Sequence, residues 1–387
     1  MSVGISAYAL VNALGHTTRE VLGNLKEGRS GLRTCEWLLP FRTECGQLPP
    51  TLPPLPQPLK ALDSRTTRIA WAALVQIEGP IREAVERWGA ARVGIVMGSS
   101  TAGMLETEHA YAFFRRYGTL PPDYSVCTQH AFHAIVDAMS LHLGVSGPRY
   151  VVSTACSSSA KALGSAYRLL KTGHLDAVVA GGADSLCQIT LRGFHSLGIL
   201  SESRCRPFAE QRDGINLGEG AALLLLEREG SSTVALSGIG ESSDAHHMST
   251  PDPEGKGACA AMEKALAEAE LKGNEIDYVN AHGTGTILND RMEAQAILDV
   301  CGPDVPVIST KGYTGHLLGA AGATEAVFAA ASVAEGWVPA SIGASPVDPS
   351  IGAYINTQKL EQMCQHVMSN SFAFGGSNAV MILSRTP

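Results

Sequence analysis

Residues 149–182 read RYVVSTACSSSAKALGSAYRLLKTGHLDAVVAGG. Arg149 to Ala155 forms a strand candidate. From Ser157 to Thr172, Ala160, Leu163, Tyr167 and Leu170 recur at helical spacing. Ala177 to Ala180 returns as a short apolar strand, and Gly181-Gly182 is expected to end it. Strand, helix and strand in this order imply α/β layers.

The same alternation extends in both directions. Arg92 to Met97 is an apolar strand ending in Gly98-Ser99-Ser100. Ala221 to Leu226 (AALLLL) is too apolar for an exposed strand and belongs in the middle of a covered sheet. From about residue 235 the pattern restarts. Helices are expected over Ala258–Leu271, Asp290–Val300 and Gly319–Glu335, and strands over Tyr278–Ala281, Val305–Ser309 and Val380–Leu383. Two similar halves, 1–234 and 235–387, suggest an internal duplication, although no literal repeat is visible. The proline-dense segment Pro49 to Pro58 reads as an extended surface loop within the first half.

Composition narrows the function classes. The chain has 387 residues, 45% of them hydrophobic, and a formal net charge of −8. That balance lacks the basic excess of a nucleic-acid binder. The nine cysteines are scattered and include no C-x-x-C pair, unlike a disulfide framework or zinc site. No signal-peptide pattern opens the chain, and no apolar run of about 18 residues suggests a membrane span. The expected compartment is the cytoplasm.

Four stretches carry chemistry. In Ser153-Thr154-Ala155-Cys156-Ser157-Ser158-Ser159 a cysteine lies between a strand end and a helix start. Unpaired N–H groups and the helix dipole there are expected to lower the thiol pKa. The structural alternative is a buried, inert cysteine. In Asn280-Ala281-His282-Gly283-Thr284-Gly285-Thr286 a histidine at a strand end precedes a loop open to an extended polar ligand. The third stretch, Lys311 to Gly322, contains His316 in a glycine-rich turn, with Glu325 farther along the helix as an ion-pair candidate for Lys311. The fourth, Asn370 to Asn378, sets Phe372 and Phe374 before Gly375-Gly376, a loop whose N–H groups suit an oxyanion. Cys205, between Arg204 and Arg206, has a charge environment that would lower its pKa. It lacks a helix start and reads as a bystander.

In this order and spacing, the four stretches resemble β-ketoacyl-acyl-carrier-protein synthases of the Cys-His-His type, in the thiolase superfamily. GRSG (28–31), Arg206-Pro207-Phe208, Arg212-Asp213-Gly214, Gly218-Glu219-Gly220 and DAHHMSTP (244–251) match as well. The resemblance implies an α/β thiolase fold of two βαβαβαββ halves in a five-layer α-β-α-β-α stack. It also implies a dimer that works with acyl carrier protein. Cys156 would take the acyl chain, and the N–H groups of Cys156 and Phe374 would form the oxyanion hole. His282 and His316 would promote decarboxylation of the malonyl unit, and Lys311 and Glu325 would hold the electrostatics. Thr284 and Thr286 would contact phosphopantetheine, and Phe374 would gate the cysteine. The chemistry asks for no metal and no cofactor beyond the carrier's phosphopantetheine.

Some positions depart from the family pattern. Ile287-Leu288-Asn289-Asp290 replaces the usual Pro-Leu-Gly-Asp, Ala373 replaces a glycine, and Thr34 to Arg65 matches poorly. Thr101 falls where relatives place a residue limiting chain length, which hints at an unsaturated or aromatic acyl chain. The TACSSS run is also similar to polyketide synthases. A heterodimer with a chain-length-factor-like paralogue therefore stands beside fatty acid synthesis. A chain-length factor itself typically lacks the nucleophile, and a thiolase proper needs a second late cysteine in a context that Cys364 lacks. A zinc hydrolase on His246 and His247 finds no H-E-x-x-H spacing.

Overall fold

The computed structural model describes residues 3–37, 39–228 and 232–386. Ten strands form its main sheet. Five belong to the first half: β1 (Val3–Asn12), β2 (Val93–Gly98), β3 (Arg149–Val152), β4 (Ala177–Asp184) and β5 (Gly220–Glu227). Five belong to the second: β6 (Val234–Ser243), β7 (Tyr278–Asn280), β8 (Val307–Ile308), β9 (His366–Ala373) and β10 (Ser377–Arg385).

The spatial order is β8-β7-β9-β10-β6-β1-β5-β4-β2-β3. Within each half the third strand lies at the outer edge, followed inward by the second, fourth, fifth and first. The directions also agree. Second pairs with third and fourth in parallel, and fifth is antiparallel to fourth and first. Identical order and direction are the duplication that the sequence pattern suggested. The halves join through Val3↔Leu236 and Gly4↔Ala235 on β1 and β6.

Two helices, Ser158–Lys171 and Ala321–Glu335, pack against each other between the two halves of the sheet. Helices Arg65–Leu74 and Ala134–Leu143 cover the outer face of the first half, and Lys256–Ala269 and Ile287–Cys301 that of the second. The result is the five-layer stack. The middle layer is small-residue helix: every residue from Ala321 to Val333 is buried. Because the chain enters both middle helices from the same region, the residues preceding them meet there.

Gly181 and Gly182 do not end their strand. β4 runs on to Asp184, and both glycines lie inside it. Packing explains this. A Cβ at Gly181 would stand 2.0 Å from the Ala222 carbonyl oxygen, and one at Gly182 would stand 2.6 Å from Ser159 Cβ. Close backbone approach, a tertiary requirement, imitates a turn signal here. Gly181→Ala is expected to destabilise the protein by roughly 1–3 kcal/mol, an overpacking cost readable as a lower denaturant midpoint.

The proline-rich loop is pinned by buried Leu52 and Leu55 and ends in a 3-10 turn at Gln57–Leu62. No helix among the described residues is long and apolar enough to cross a membrane.

Candidate active site

Cys156 occupies an elbow between β3 and the Ser158–Lys171 helix. Ala155 has φ +52°, an uncommon conformation for a residue with a side chain. Local bonds hold it there: Ser158 Oγ donates to the Ala155 carbonyl at 2.6 Å, and the Thr154 N–H donates to Ser158 Oγ at 2.9 Å. Gly98 lets β2 approach this elbow, since a Cβ there would meet Ser159 N at 2.3 Å.

His282 follows β7 in the second half. A buried carboxylate, Glu293, fixes its backbone by accepting the His282 and Gly283 N–H groups, each at 2.7 Å. Asn370 and Asn289 donate to the same carboxylate at 3.2 and 3.3 Å. His316 is held across the halves: its N–H donates to the Asn216 carbonyl at 2.8 Å, and the Gly218 N–H donates to its carbonyl at 2.9 Å. The two rings lie edge to face with centroids 5.2 Å apart. Cys156, His282 and His316 present donor atoms that all lie within 4.8 Å of one another.

Both ring nitrogens of His316 and Nδ1 of His282 are buried without a protein partner. Buried polar atoms are normally paired, so these are available to a ligand. A cavity of about 400 Å³ reaches all three residues and is also lined by Phe194, Thr284, Thr286 and Phe374. The Thr284 and Thr286 hydroxyls stand 2.8 Å apart on its wall. Asp290 steadies their loop by accepting the Gly285 N–H at 3.1 Å and the Phe208 N–H at 2.8 Å. That contact gives the Arg206-Pro207-Phe208 motif its structural place. Beyond Thr286, a helix starts at Ile287, earlier than expected, and leaves Ile287 and Leu288 exposed at the cavity mouth.

Phe374 begins the turn between β9 and β10. Its N–H and that of Cys156 both reach the Cys156 sulfur. The turn is pinned by Gly375 N–H to the Met248 carbonyl at 2.9 Å and by Asp244 N–H to the Gly376 carbonyl at 2.9 Å. The 244–251 stretch therefore forms one wall. The Phe374 ring stacks on Phe194 at 5.5 Å.

Lys311 and Glu325 are buried together, Nζ to Oε1 2.7 Å. The Lys311 charge acts on the whole site. Both histidines are held well below the ordinary imidazole value, by burial first and then by Lys311. They are neutral at physiological pH and able to donate or accept one proton each.

The thiol differs from the sequence expectation. Burial pushes Cys156 up to about 12, against the lowering by Lys311 and the two N–H groups. Desolvation exceeds the helix-start effect because the sulfur is enclosed. Cys205 shows the same reversal: its thiol is fully buried, donates to the Lys311 carbonyl at 3.2 Å, and is pushed up to about 12 despite the flanking arginines.

Thr101 is not on the cavity wall. Its buried hydroxyl donates to Asp184 at 2.7 Å. Glu293 and Phe194 escaped the sequence reading. The only available signal for Glu293 was its place three residues after Asp290 on the helix that follows the His282 loop.

Glu293 gives a pH test. Burial pushes its carboxyl up to about 7. A raised value means the group is protonated below about pH 7, where it loses acceptor capacity for the His282 loop. Malonyl decarboxylation is expected to fall as pH drops through about 7, and Glu293→Gln to flatten that limb between roughly pH 6 and 8. A limb that persists unshifted in the variant would mean that a histidine titrates there.

Two topologically identical halves, with a cysteine elbow from one and two histidines from the other, define a thiolase-fold condensing enzyme that transfers acyl groups. The model of the β-ketoacyl synthase N-terminal domain matches residues 68–231, and that of the C-terminal domain residues 234–345. The chain belongs to the β-ketoacyl synthase family. It is 32% identical over 341 residues to 3-oxoacyl-[acyl-carrier-protein] synthase 2 of Staphylococcus aureus (strain COL), covering 83% of this chain and 82% of the relative. The Vibrio cholerae enzyme of the same name is 35% identical over 324 residues, covering 78% of each. Among solved structures, a chain from a ketosynthase in complex with its chain length factor, from Xenorhabdus doucetiae, is 39% identical. The match has a TM-score of 0.91 and covers 100% of this chain and 98% of that one. A β-ketoacyl synthase from Burkholderia phymatum is 31% identical with a TM-score of 0.89, covering 100% of both chains.

Proposed function

We propose that this chain is a β-ketoacyl-acyl-carrier-protein synthase that acts in the cytoplasm on substrates borne by phosphopantetheine. The observation that carries this reading is the Cys156, His282 and His316 cluster at the wall of the 400 Å³ cavity. In the first step Cys156 Sγ attacks the carrier thioester. Its proton leaves to a neighbouring imidazole as the S–C bond forms, because the buried sulfur is not a preformed thiolate. The N–H groups of Cys156 and Phe374 receive the oxyanion, and the carrier thiol departs. Malonyl carrier protein then enters past Thr284 and Thr286. The neutral imidazoles of His282 and His316 donate to the enolate oxygen as carbon dioxide leaves. The enolate carbon attacks the Cys156 thioester and releases the ketoacyl product.

A second subunit belongs to this reading. The 39% identity to a chain from the Xenorhabdus ketosynthase and chain length factor complex exceeds that to either 3-oxoacyl-[acyl-carrier-protein] synthase 2 named above. We infer a specialised polyene or polyketide-type role, in a heterodimer with a chain-length-factor-like paralogue, in preference to a homodimer in primary fatty acid synthesis. Intact-mass spectrometry with a panel of acyl carrier proteins, followed by malonyl carrier protein, tests the chemistry. An adduct on the wild type and a ketoacyl product two carbons longer are expected. No adduct with or without a co-expressed paralogue, where a control synthase loads, would sink the reading.

A further inference from the structure

Asp184, at the end of β4, is fully buried, and no salt bridge to it appears among the described residues. Six donors converge on its two oxygens. Ser99 Oγ, Thr101 N and Thr101 Oγ1 reach Oδ1 at 2.7, 2.8 and 2.7 Å. Ser100 N lies 2.9 Å from Oδ1 and 3.0 Å from Oδ2. Ser100 Oγ and Gly319 N reach Oδ2 at 2.7 and 2.6 Å.

Five of these donors come from the turn after β2, in the first half. The sixth does not. Gly319 belongs to the second half, three residues after His316, at the entry to the Ala321–Glu335 helix. Leu318 between them has φ +53°, a conformation unfavourable for leucine. Such a conformation persists only where surrounding contacts over-determine it. The Gly319 bond to Asp184 is one such contact, and Ser100 Oγ adds a second at 3.3 Å. Steric contact completes the arrangement. A Cβ at Gly319 would meet Asp184 Oδ2 at 2.7 Å, and one at Gly182, two residues before Asp184, would meet Ser159 beside the cysteine elbow.

We propose that Asp184 is a positioning residue that fixes the His316 loop of the second half against the Cys156 elbow of the first. It touches no reacting atom. Its carboxylate supplies two acceptors at one point, where the strand ends of one half and the histidine segment of the other both present N–H groups. An amide at this point would turn an NH2 toward donors and release Gly319. The inference rests on the synthase reading, because it assigns His316 to the decarboxylation step.

The test separates the two half-reactions. Acyl loading breaks the carrier's C–S bond, forms one at Cys156, and draws on the elbow, Phe374 and one imidazole, which passes the thiol proton to the departing carrier thiolate; His282, held by Glu293, still serves when the His316 loop shifts. Decarboxylation of malonyl carrier protein breaks a C–C bond, releases carbon dioxide, and leaves an enolate that takes a proton from water; it draws on the histidines. Both are followed by intact mass in wild type and in Asp184→Asn. Loading is expected within about threefold of wild type, with decarboxylation reduced at least about tenfold, since misplacement by ~1 Å costs on the order of a hundredfold. Equal loss of both, or of neither, would overturn the inference. Should Asp184→Asn not fold, Ser100→Ala removes a hydroxyl that bridges Asp184 and Gly319. It is expected to show the same split at about threefold, and its absence would overturn the inference too. A wild type inactive in both steps, with and without a co-expressed paralogue, would instead refute the synthase reading.

Discussion

Cys156→Ala is expected to abolish the acyl adduct and lower condensation by on the order of 10³-fold or more, while malonyl decarboxylation stays within about tenfold of wild type. The asymmetry follows from the division of labour in the site. The thioester needs a sulfur nucleophile, and no other cysteine lines the cavity. The enolate needs donors, and His282 and His316 have ring nitrogens with no protein partner to give up. His282→Ala and His316→Ala should show the converse: loading is largely retained, because the remaining imidazole still takes the thiol proton, while decarboxylation falls about 10²–10³-fold for each lost donor. Time-resolved intact mass of enzyme and carrier reads both steps in one experiment. A Cys156→Ala protein that still acquires an acyl group would place the nucleophile elsewhere. Simultaneous loss of both steps in every variant would show that the site acts as one unit.

The features legible in the sequence were those whose chemistry and local conformation coincide. The Cys156 elbow, the His282 loop, the His316 turn and the Phe374 hairpin each combine a reactive or aromatic residue with glycines or small hydroxyl residues at a strand end. The structure gathers all four around one cavity. Much of the alternation was visible too, because strands such as Ala221–Leu226 are continuous apolar runs. Features set by distant parts of the chain were not legible. β9 reads HVMSNSFA, which looks too polar for a core strand, yet Ser369, Asn370 and Ser371 are all buried there, and Asn370 donates to Glu293 at 3.2 Å. Gly181 and Gly182 look like a turn until Ala222 and Ser159 arrive from elsewhere. The protonation of Cys156 was misjudged for the same reason. The helix start is local and readable, whereas burial is set by the closing of two halves. Glu293 lies on the helix expected over 290–300, and only the structure shows it buried behind His282.

The second large effect concerns the pair behind the histidines. Lys311 and Glu325 side chains are 1% and 4% exposed, and their charges meet at 2.7 Å. Burial raises the Glu325 carboxyl, and Lys311 opposes that rise. Removing one partner strands the other in a low-dielectric interior, so each single replacement should cost roughly 3–5 kcal/mol. The double replacement Lys311→Met with Glu325→Leu should cost less than half the sum, because neither charge then remains to be desolvated. Lys311→Met should also acquire a pH dependence. In Lys311→Met, Glu325 keeps only the influence that raises it. The folded state then holds a proton that the unfolded chain releases above about pH 4.5, so stability rises as pH falls from about 8 toward 5. Denaturant midpoints of the variants at about pH 6 and 8.5 provide the check, with Lys311→Met relatively more stable at the lower pH. A flat pH response in Lys311→Met, or singles within about 1 kcal/mol of wild type, would mean that solvent reaches the pair and that the Lys311 charge adds little to the burial that holds both histidines neutral.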